Sequence, residues 1–376
     1  MQFKIKSETL SAILSILSRV IPSKVTDSTL EYVTMTLAEG HNLTLMTSDT
    51  DITVINSIVL EENGIDGSVA VYARNLLELL KTIPAGVDIV LETVGGSLEV
   101  SWGNGKASFP LFEPNPVIVN TKGNPIFSVS LKSSEILAGI HNTIGSVAED
   151  SLRPTLAGIH FDFSKDGIEM VGTDSHQLVV HRISDQWNGD AFGFEIDEGQ
   201  MRIIQPCLEE NKDVNITVEV FGSMFRVKDM GGYTVTAKLV PGIYPGYKAI
   251  IPKDNTNVLE IDRKNLINTI KRVSVCGDAA ENYVLKMTLS EDEGVGLSSE
   301  NLKMGTSAEE KLVGALYTGE KIVIGFKKSI LEDILKTLTS EKVKLYFKDA
   351  RHAAIVVPSC KEETAFTGLV MPVYVK

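Results

Sequence analysis

Cysteine is scarce in this chain of 376 residues, and its three copies, Cys207, Cys276 and Cys360, are far apart and form no CxxC pair. Disulfide-rich secreted domains and zinc sites need cysteines that are even in number or regularly spaced. We therefore expect reduced, buried thiols, with neither a disulfide framework nor a structural metal.

An excess of basic residues is also missing, because 36 Lys and Arg face 49 Asp and Glu, a formal net charge of −13. Nucleic-acid-binding proteins usually carry a basic domain, so the average charge argues against that class. An average would, however, hide a reversal of charge on one face. No apolar run approaches the ~20 residues of a transmembrane helix, and the first residues lack the pattern of a signal peptide. We expect a cytoplasmic protein.

The motifs of common enzyme classes are absent from the sequence, which contains no glycine-rich phosphate loop, GxGxxG, HExxH or GxSxG. Asp49 and Asp51 could place two carboxylates on one face of a strand, but a turn at a strand end is the favoured interpretation. Asp174 beside His176 could be half of a catalytic pair, yet no nucleophile of defined context accompanies it. We expect no catalytic residue, no cofactor and no metal.

A strand followed by a helix occurs three times, at nearly equal intervals. Alternating apolar residues at 3–6, 127–131 and 258–261 predict strands, and apolar residues at helical spacing follow each of them. The expected helix N-caps are Ser7 in the first copy, Ser133 or Ser134 in the second, and Asp262 in the third.

A second pattern of a strand, a helix and two strands repeats in the same rhythm. Its first strands are 69–72, 192–196 and 321–326, and its closing strand pairs are 87–91 with 97–101, 214–218 with 224–227, and 343–347 with 354–357. The sequence therefore predicts three similar, domain-sized units of α+β class, each with two helices and many short strands. Turn-rich links place the domains at residues 1–122, 123–252 and 253–376.

Residues 173–177, with the sequence TDSHQ, interrupt a segment that is otherwise apolar. Buried strands do not usually contain five polar residues in a row unless these face a partner or a site. We therefore expect a functional surface at this segment.

Four motifs in order along the chain, RPTLAGIHFDF, MVGTDSHQL, KLVPGIYPGY and LVMPV, resemble those of the bacterial DNA sliding clamps, the beta subunits of DNA polymerase III. The resemblance covers the whole chain. It implies a homodimeric head-to-tail ring of six similar clamp-fold domains, with helices lining the hole and antiparallel sheets outside. It also implies a non-catalytic processivity factor that tethers the replicative polymerase to duplex DNA without sequence preference.

The resemblance further implies a pocket between the second and third domains for short peptides of the polymerase, the clamp loader and repair proteins. The matched positions are Arg153, Leu156, Thr173, His176, Leu178, Pro245, Val370, Met371 and Pro372. For Leu156, Leu178 and Val370, plain core packing is the alternative. Ser175 and Gln177 stand where the family usually has Gly and Arg, and Arg351 stands where a small apolar residue is common. The peptide preference is therefore expected to differ in detail.

Basic residues on the helices would face the DNA phosphates despite the acidic average. The positions singled out are Lys24, Arg74, Arg202, Lys271, Arg272 and Lys328. Ordinary solvated helix faces are the alternative for each of them. The dimer interface would include Phe109, Val275 and Cys276, with Ala107 where a phenylalanine is common.

Two other classes of function compete with a clamp. One is a hydrolase that uses His176 and Asp174, and the other is a β-rich interaction scaffold with no role on nucleic acid.

Overall fold

The computed structural model describes residues 1–22, 28–114, 119, 121–149, 153–184, 187–279, 283–360 and 365–375, which contain six α-helices and 25 β-strands. None of these helices is long and apolar enough to cross a membrane. The same residues hold no group of three or more His, Cys, Asp or Glu side chains placed to bind a metal ion.

The first repeat has two helices, each preceded directly by a strand. Its helices are α1 (Ser7–Leu17) and α2 (Ala73–Thr82). Its strands are β1 (Gln2–Lys6), β2 (Tyr32–Ala38), β3 (Asn42–Ser48), β4 (Ile52–Val59), β5 (Gly67–Tyr72), β6 (Asp88–Val94), β7 (Ser97–Trp102) and β8 (Gly105–Pro110).

The second repeat has the same order of elements. Its helices are α3 (Ser133–Thr143) and α4 (Glu198–Glu209). Its strands are β9 (Phe127–Lys132), β10 (Gly158–Ser164), β11 (Gly167–Thr173), β12 (Gln177–Ile183), β13 (Phe192–Asp197), β14 (Asn215–Phe221), β15 (Met224–Met230) and β16 (Tyr233–Lys238).

The third repeat differs only by one additional short strand, β21 (Leu316–Thr318). Its helices are α5 (Arg263–Ser274) and α6 (Lys328–Thr337). Its other strands are β17 (Asn257–Asp262), β18 (Val284–Ser290), β19 (Gly294–Asn301), β20 (Thr306–Lys311), β22 (Ile322–Lys327), β23 (Lys342–Phe347), β24 (Ala354–Pro358) and β25 (Phe366–Val370). The shared order confirms the predicted threefold repeat and the α+β class.

The chain packs as two compact units. The first combines Met1–Leu137 with Gly199–Leu239, and the second combines Ala138–Glu198 with Val240–Lys376. The division into domains at residues 122 and 252 stays a prediction, because each unit draws strands from two of the repeats.

Two sheets form the first unit. An eight-stranded sheet has the order β5-β2-β3-β4-β16-β15-β14-β9, and a four-stranded sheet has the order β1-β6-β7-β8. The antiparallel pair of β4 and β16, in which Asn56 lies opposite Tyr233, joins strands of the first and second repeats.

The second unit is built in the same way. A nine-stranded sheet has the order β13-β10-β11-β12-β25-β24-β23-β17-β21, and a four-stranded sheet has the order β20-β19-β18-β22. Here the antiparallel pair of β12 and β25 joins the second repeat to the third.

Amphipathic helices cover the sheets of the second unit. Helix α5 buries Leu266 and Ile270, and α6 buries Leu331 and Leu335, all in one apolar core with the strands of the third repeat. Fully burying an aliphatic side chain of this size is worth about 1.5–3 kcal/mol, so these helix faces are a main source of stability.

The predicted helix cap is confirmed for α5 and wrong for α1. The Asp262 carboxylate accepts a hydrogen bond from the Asn265 N–H at 2.6 Å, which confirms the cap of α5. The prediction for Ser7 is wrong, because Lys6 is the N-cap and the Ser7 hydroxyl donates to the Pro84 carbonyl at 2.9 Å. Ser133 begins α3, and its hydroxyl donates to the Asn211 carbonyl at 2.9 Å.

No disulfide joins the three cysteines, and they are not all buried. Cys207 is buried on α4, and burial raises the pKa of its thiol to about 12. Cys276 is half-buried and Cys360 is exposed, so the expectation of burial is wrong for Cys360.

Candidate functional site

A small apolar cluster in the second unit lies apart from its main core, and we call it the pocket cluster. It consists of Val171, Leu178, Val180, Tyr247, Ala353 and Leu369, with Tyr244 and Ile251 packed against it. Only Leu178 of these was predicted as a site residue. Its burial is nearly complete, so Leu178 also packs as a core residue.

Strand pairing brings the distant parts of the predicted site together. On one side of β12, Thr173 of β11 lies opposite Leu178. On the other side, Val370 of β25 lies opposite Gln177, and Leu369 lies opposite Leu178. Residues at the middle and at the end of the sequence therefore share one edge of the apolar cluster.

The polar segment 173–177 is a closed turn in which backbone groups find partners within the segment. The Thr173 hydroxyl donates to the Gln177 carbonyl at 2.5 Å. The Asp174 carboxylate accepts hydrogen bonds from the backbone N–H groups of His176 and Gln177, at 2.7 and 2.8 Å. Asp174 therefore shapes the turn, as Asp side chains often do.

This geometry removes the basis of the hydrolase hypothesis. A catalytic aspartate would orient the imidazole of its histidine, whereas Asp174 binds the backbone of His176. Asp49 is likewise a turn residue, because it accepts from the N–H groups of Asp51 and Ile52 at 2.7 and 2.9 Å. Asp51 forms an ion pair with Lys238 at 2.9 Å.

The chain after β25 is bonded to the 173–177 turn. The Met371 N–H donates to the His176 carbonyl at 2.9 Å, which fixes this segment against the 173–177 turn. Met371 is 42% exposed, and Pro372 is half-buried. Val370 belongs to the main core of the unit, whereas its neighbour Leu369 belongs to the pocket cluster, and a role of Val370 in peptide binding stays a prediction.

Arg153 and Leu156 flank the other side of the turn. The exposed Arg153 guanidinium donates to the Ser175 hydroxyl at 3.0 Å. Leu156 ends a short 3₁₀ turn that starts at Pro154, and it is buried, although it is not part of the pocket cluster. Arg153 therefore lies beside the 173–177 turn, and its place at the rim of a peptide site stays a prediction.

The loop of residues 241–252 presents apolar side chains to solvent. Ile243 is 93% exposed, Ile250 is 58% exposed, and Pro245 is exposed between them. Sequence reasoning selected Pro245 and missed both isoleucines. Two exposed isoleucines on a short loop beside an apolar cluster are the signal that could have found them.

Tyr247 anchors this loop to the sheet beneath it. Its hydroxyl lies 2.7 Å from Asp162 and 2.6 Å from Glu169, and the Lys248 ammonium lies 2.9 Å from Asp162. The Arg182 guanidinium donates to Glu169 at 2.8 Å. Two carboxylates of the sheet thus hold the loop that carries Pro245.

The ionisation of these groups follows from their partners. Burial alone would raise the pKa of the Glu169 and Asp162 carboxyls, but hydrogen bonds from Tyr247 and from Arg182 or Lys248 outweigh it and lower both pKa values. Burial, together with the two carboxylates, raises the pKa of Tyr247. The carboxylates are therefore charged and the phenol is neutral at neutral pH.

A stacked pair of rings holds the same loop three residues before Tyr247. The Tyr244 ring stacks on the His160 imidazole with 4.2 Å between ring centroids. Burial lowers the pKa of His160 to about 4, so this imidazole is uncharged at neutral pH. Opposite it on β13, burial raises the pKa of Glu195 to about 8.

The three residues predicted for a dimer interface lie at two sheet edges. Phe109 is half-buried on β8, the outer strand of its four-stranded sheet. Val275 is 79% exposed just after α5. The Cys276 carbonyl accepts a hydrogen bond from Thr306 at 3.1 Å, which places this segment beside β20, the outer strand of the other four-stranded sheet.

Two of the residues predicted to face DNA lie on helices of the first unit, and Lys24 lies outside the described residues. Arg74 is exposed on α2, and its guanidinium donates to the carbonyls of Ile21 and Pro22 at 2.8 and 3.0 Å. Arg202 is exposed on α4.

In the second unit, Lys271, Arg272 and Lys328 lie on α5 and α6 and all three form ion pairs within the chain. Lys271 and Lys328 approach Glu332, and Arg272 binds Glu310.

Comparisons with known proteins agree over the length of the chain. A family model described as the DNA polymerase III beta subunit, N-terminal domain, matches residues 1–115, and one for its C-terminal domain matches residues 248–374. Together they span well over half of the chain. The chain belongs to the family of DNA polymerase III beta subunits, the bacterial sliding clamps.

The most similar relatives share this assignment. A beta sliding clamp from Pseudomonas aeruginosa is 25% identical over 375 residues, with 99% of each chain covered. Two solved structures from the same organism, a DNA polymerase III subunit beta and a sliding clamp bound to griselimycin, are each 23% identical and cover 100% of both chains. Their TM-scores of 0.89 and 0.92 confirm the clamp fold. Because sliding clamps are processivity factors, family membership confirms that the chain is no enzyme.

Three positions were expected to differ from the usual residues of the family, and the structure shows what surrounds each of them. Ser175 has a φ of +76°, a conformation that glycine adopts freely and a serine only with strain. Gln177 is buried, and its amide donates to the Gly145 carbonyl at 3.3 Å. Arg351 is exposed, with its backbone N–H bonded to Asp349 at 2.7 Å, and so adds a cation near Ala353 of the pocket cluster.

The strain at Ser175 predicts that Ser175→Gly stabilises the clamp, raising the free energy of unfolding by about 0.5–1 kcal/mol. Ser175→Ala keeps the strained backbone and loses the hydroxyl that accepts a hydrogen bond from Arg153. Its free energy of unfolding should therefore not exceed that of the wild type. Denaturant midpoints of the two variants and the wild type measure this. A glycine variant no more stable than the alanine variant would contradict the strained turn.

The anchor at Tyr247 predicts a selective effect of removing one hydroxyl. Tyr247→Phe removes the one hydroxyl proton that the buried Glu169 and the half-buried Asp162 share, at a cost of about 1–3 kcal/mol, and should weaken binding of an apolar peptide at the predicted site several-fold. Because both carboxyls have lowered pKa values in the folded state, this contribution is complete above their ordinary values of 3.8 and 4.5. It is lost as the pH falls through the lowered values.

Tyr244→Phe is the matched control in the same loop. Its hydroxyl makes only a 3.5 Å contact with the Val171 carbonyl, and the stack on His160 survives the change. Peptide titration by calorimetry compares the two variants. Equal affinities would contradict the role of Tyr247 as the anchor of the loop.

Proposed function

We propose that two copies of this chain close head to tail into a ring around duplex DNA and tether the replicative polymerase to it. The observation that carries this proposal is a pair of different open edges on one chain, β8 and β20, each the outer strand of a four-stranded sheet. An outer strand offers backbone N–H and C=O groups to another strand. Contacts between two different surfaces of identical chains form a closed ring when the rotation between the chains closes.

The side chains at the two edges suit this contact. Phe109 provides a half-buried aromatic anchor on β8. Beside β20, Val275, Leu302 and Met304 expose 79%, 83% and 76% of their surface. Clustered exposed apolar residues commonly mark a protein interface. A dimer joined twice in this way would contain six copies of the repeat.

The repeat supports the division into three domains, at residues 1–122, 123–252 and 253–376, as the building plan of that ring. Helices with exposed basic residues, among them Arg74, Arg202 and Lys271, would line the hole and contact phosphates without reading bases. The net charge of −13 would then reside mainly on the outer surface. A ring of this kind works on the DNA of the cytoplasm.

The pocket cluster and its rim form the proposed site for short peptides of the polymerase, the clamp loader and repair proteins. An apolar floor with a few polar groups at the edge is the usual construction of a peptide groove. Here the floor contains Leu178, and the edge contains Arg153, Thr173, His176 and the exposed Met371. The P. aeruginosa clamp bound to griselimycin supports ligand binding in this family.

Ring closure through β8 predicts a strong effect of one proline. The Leu111 N–H donates to the carbonyl of Gly96, the residue just before β7. Backbone groups alternate in direction along an antiparallel strand, so the N–H groups of the odd-numbered residues of β8 point to β7. The N–H of Ser108 therefore points away from the sheet. Ser108→Pro removes this outward donor, a change that an outer strand tolerates. Sedimentation should then show a dimer at least tenfold weaker than that of the wild type, and a shorter dwell time on circular DNA.

Ser108→Ala is the matched control, since it removes the same hydroxyl and keeps the N–H. It should sediment like the wild type. If both variants dimerise as tightly as the wild type, β8 is not the subunit contact and this account of the ring is wrong.

A further inference from the structure

The pair of helices α5 and α6 carries a buried carboxylate surrounded by lysines. Glu332 of α6 is only 7% exposed, and its oxygens lie 2.9 Å from Lys336, 3.9 Å from Lys328 and 4.0 Å from Lys271. The three ammonium groups come from both helices and remain partly exposed. One carboxylate therefore neutralises part of a cluster of three cations at this surface.

A second carboxylate holds Arg272, the residue that follows Lys271 on α5. The Arg272 Nε donates to Glu310 Oε2 at 2.8 Å and its Nη2 donates to Oε1 at 2.5 Å. Hydrogen bonding to Glu310 raises the pKa of Arg272, and the same bonds lower the pKa of Glu310. Two parallel N–H···O bonds of this kind are the strong geometry for an arginine and a carboxylate.

These two acids limit what the helix pair can offer a phosphate. Lys271, Lys328, Lys336 and Arg272 carry four positive charges, and Glu332, Glu310 and Asp333, which lies 3.6 Å from Lys336, bring the sum for these paired residues to +1. A phosphate that approaches must compete with a carboxylate for each cation. A bidentate pair and a shared buried acid resist that competition more than a single exposed pair would.

We propose that Glu310 and Glu332 are affinity-limiting residues, which keep the DNA contacts of the helix pair weak enough for the ring to slide. This inference rests on the proposed function. A part that moves along DNA gains nothing from tight phosphate contacts, because every contact must break at each step. Retention on DNA then depends on ring closure, while Glu310 and Glu332 limit the strength of the phosphate contacts that sliding must break.

Glu332→Gln and Glu310→Gln test the proposal, because each keeps the size of the side chain and removes one negative charge. Binding of the free protein to a fluorescent duplex is measured over a range of salt concentrations. Each variant should bind roughly 3- to 10-fold more tightly at 50 mM salt, and log K should fall more steeply with log salt, by about 0.9 for each additional phosphate that the freed cations neutralise. Loaded rings of both variants should diffuse more slowly along DNA.

Glu293→Gln is the matched control. Glu293 also forms an ion pair, with Lys321 at 2.7 Å, but on the loop after β18 and not on the helix pair. Glu293→Gln changes the net charge by the same amount as the other two variants, but it frees no cation of α5 or α6. Its affinity for DNA and its salt slope should therefore stay at the wild-type values.

The outcomes separate the two levels of the account. Affinities of the Glu310 and Glu332 variants that equal the Glu293 control, or fall below it, overturn the affinity-limiting role. The two variants release different cations. If the melting temperature of one variant is much lower than that of the wild type, the affinity of the other variant tests the proposal. Wild-type protein that leaves circular and linear DNA at the same rate would instead refute the ring, whatever the order of the affinities.

Discussion

The antiparallel pairing of β12 with β25 is the interaction on which the proposed peptide site depends. It places Leu369 opposite Leu178 and Val370 opposite Gln177, and it directs Met371 onto the carbonyl of His176. Without it, the end of the chain would have no fixed position beside the 173–177 turn. The same pair joins strands of two repeats in one nine-stranded sheet, so the stability of the unit and the shape of the site have a common origin.

Charge is organised by pairing within the chain more than by its overall sum. Beneath the pocket loop, Asp162 and Glu169 are held by Tyr247, Lys248 and Arg182. On the helix pair, acids likewise accompany the basic residues. A net charge of −13 is therefore compatible with a DNA-binding surface, because the overall sum does not describe the charge of one face. Cations that are paired with acids can lie exposed on that face and still attract phosphates only weakly. The acids beneath the loop hold that loop in place, whereas the acids at the helix pair weaken the proposed contact with DNA.

The sequence predicted what depends on periodicity. The threefold repeat follows from apolar spacing, and Asp262 was recognised as a cap because its partner lies three residues away. Long-range contacts could not be predicted in this way. Ser7 bonds to Pro84, and the Tyr247 hydroxyl contacts acids on the distant strands β10 and β11, so neither role is visible in local sequence.

The candidate site shows the same division between local and distant information. The polar 173–177 segment and the family resemblance led to the predicted site and its rim, which remain a prediction. The sequence did not reveal that Leu369, and not Val370, packs in the pocket cluster, because strand register decides which side chains of β25 face it, and a shift of one residue reverses every side chain. Register of this kind depends on the partner strand, almost 200 residues earlier in the chain.

Retention on DNA of defined topology tests the central claim most directly. The clamp would be loaded by a clamp loader onto nicked circular DNA, and the amount bound would be followed before and after a single cut that makes the DNA linear. The account predicts long retention on the circle and rapid loss through the free ends after cutting, at a salt concentration that abolishes binding of the free protein. Equal rates of loss from circular and linear DNA would contradict it.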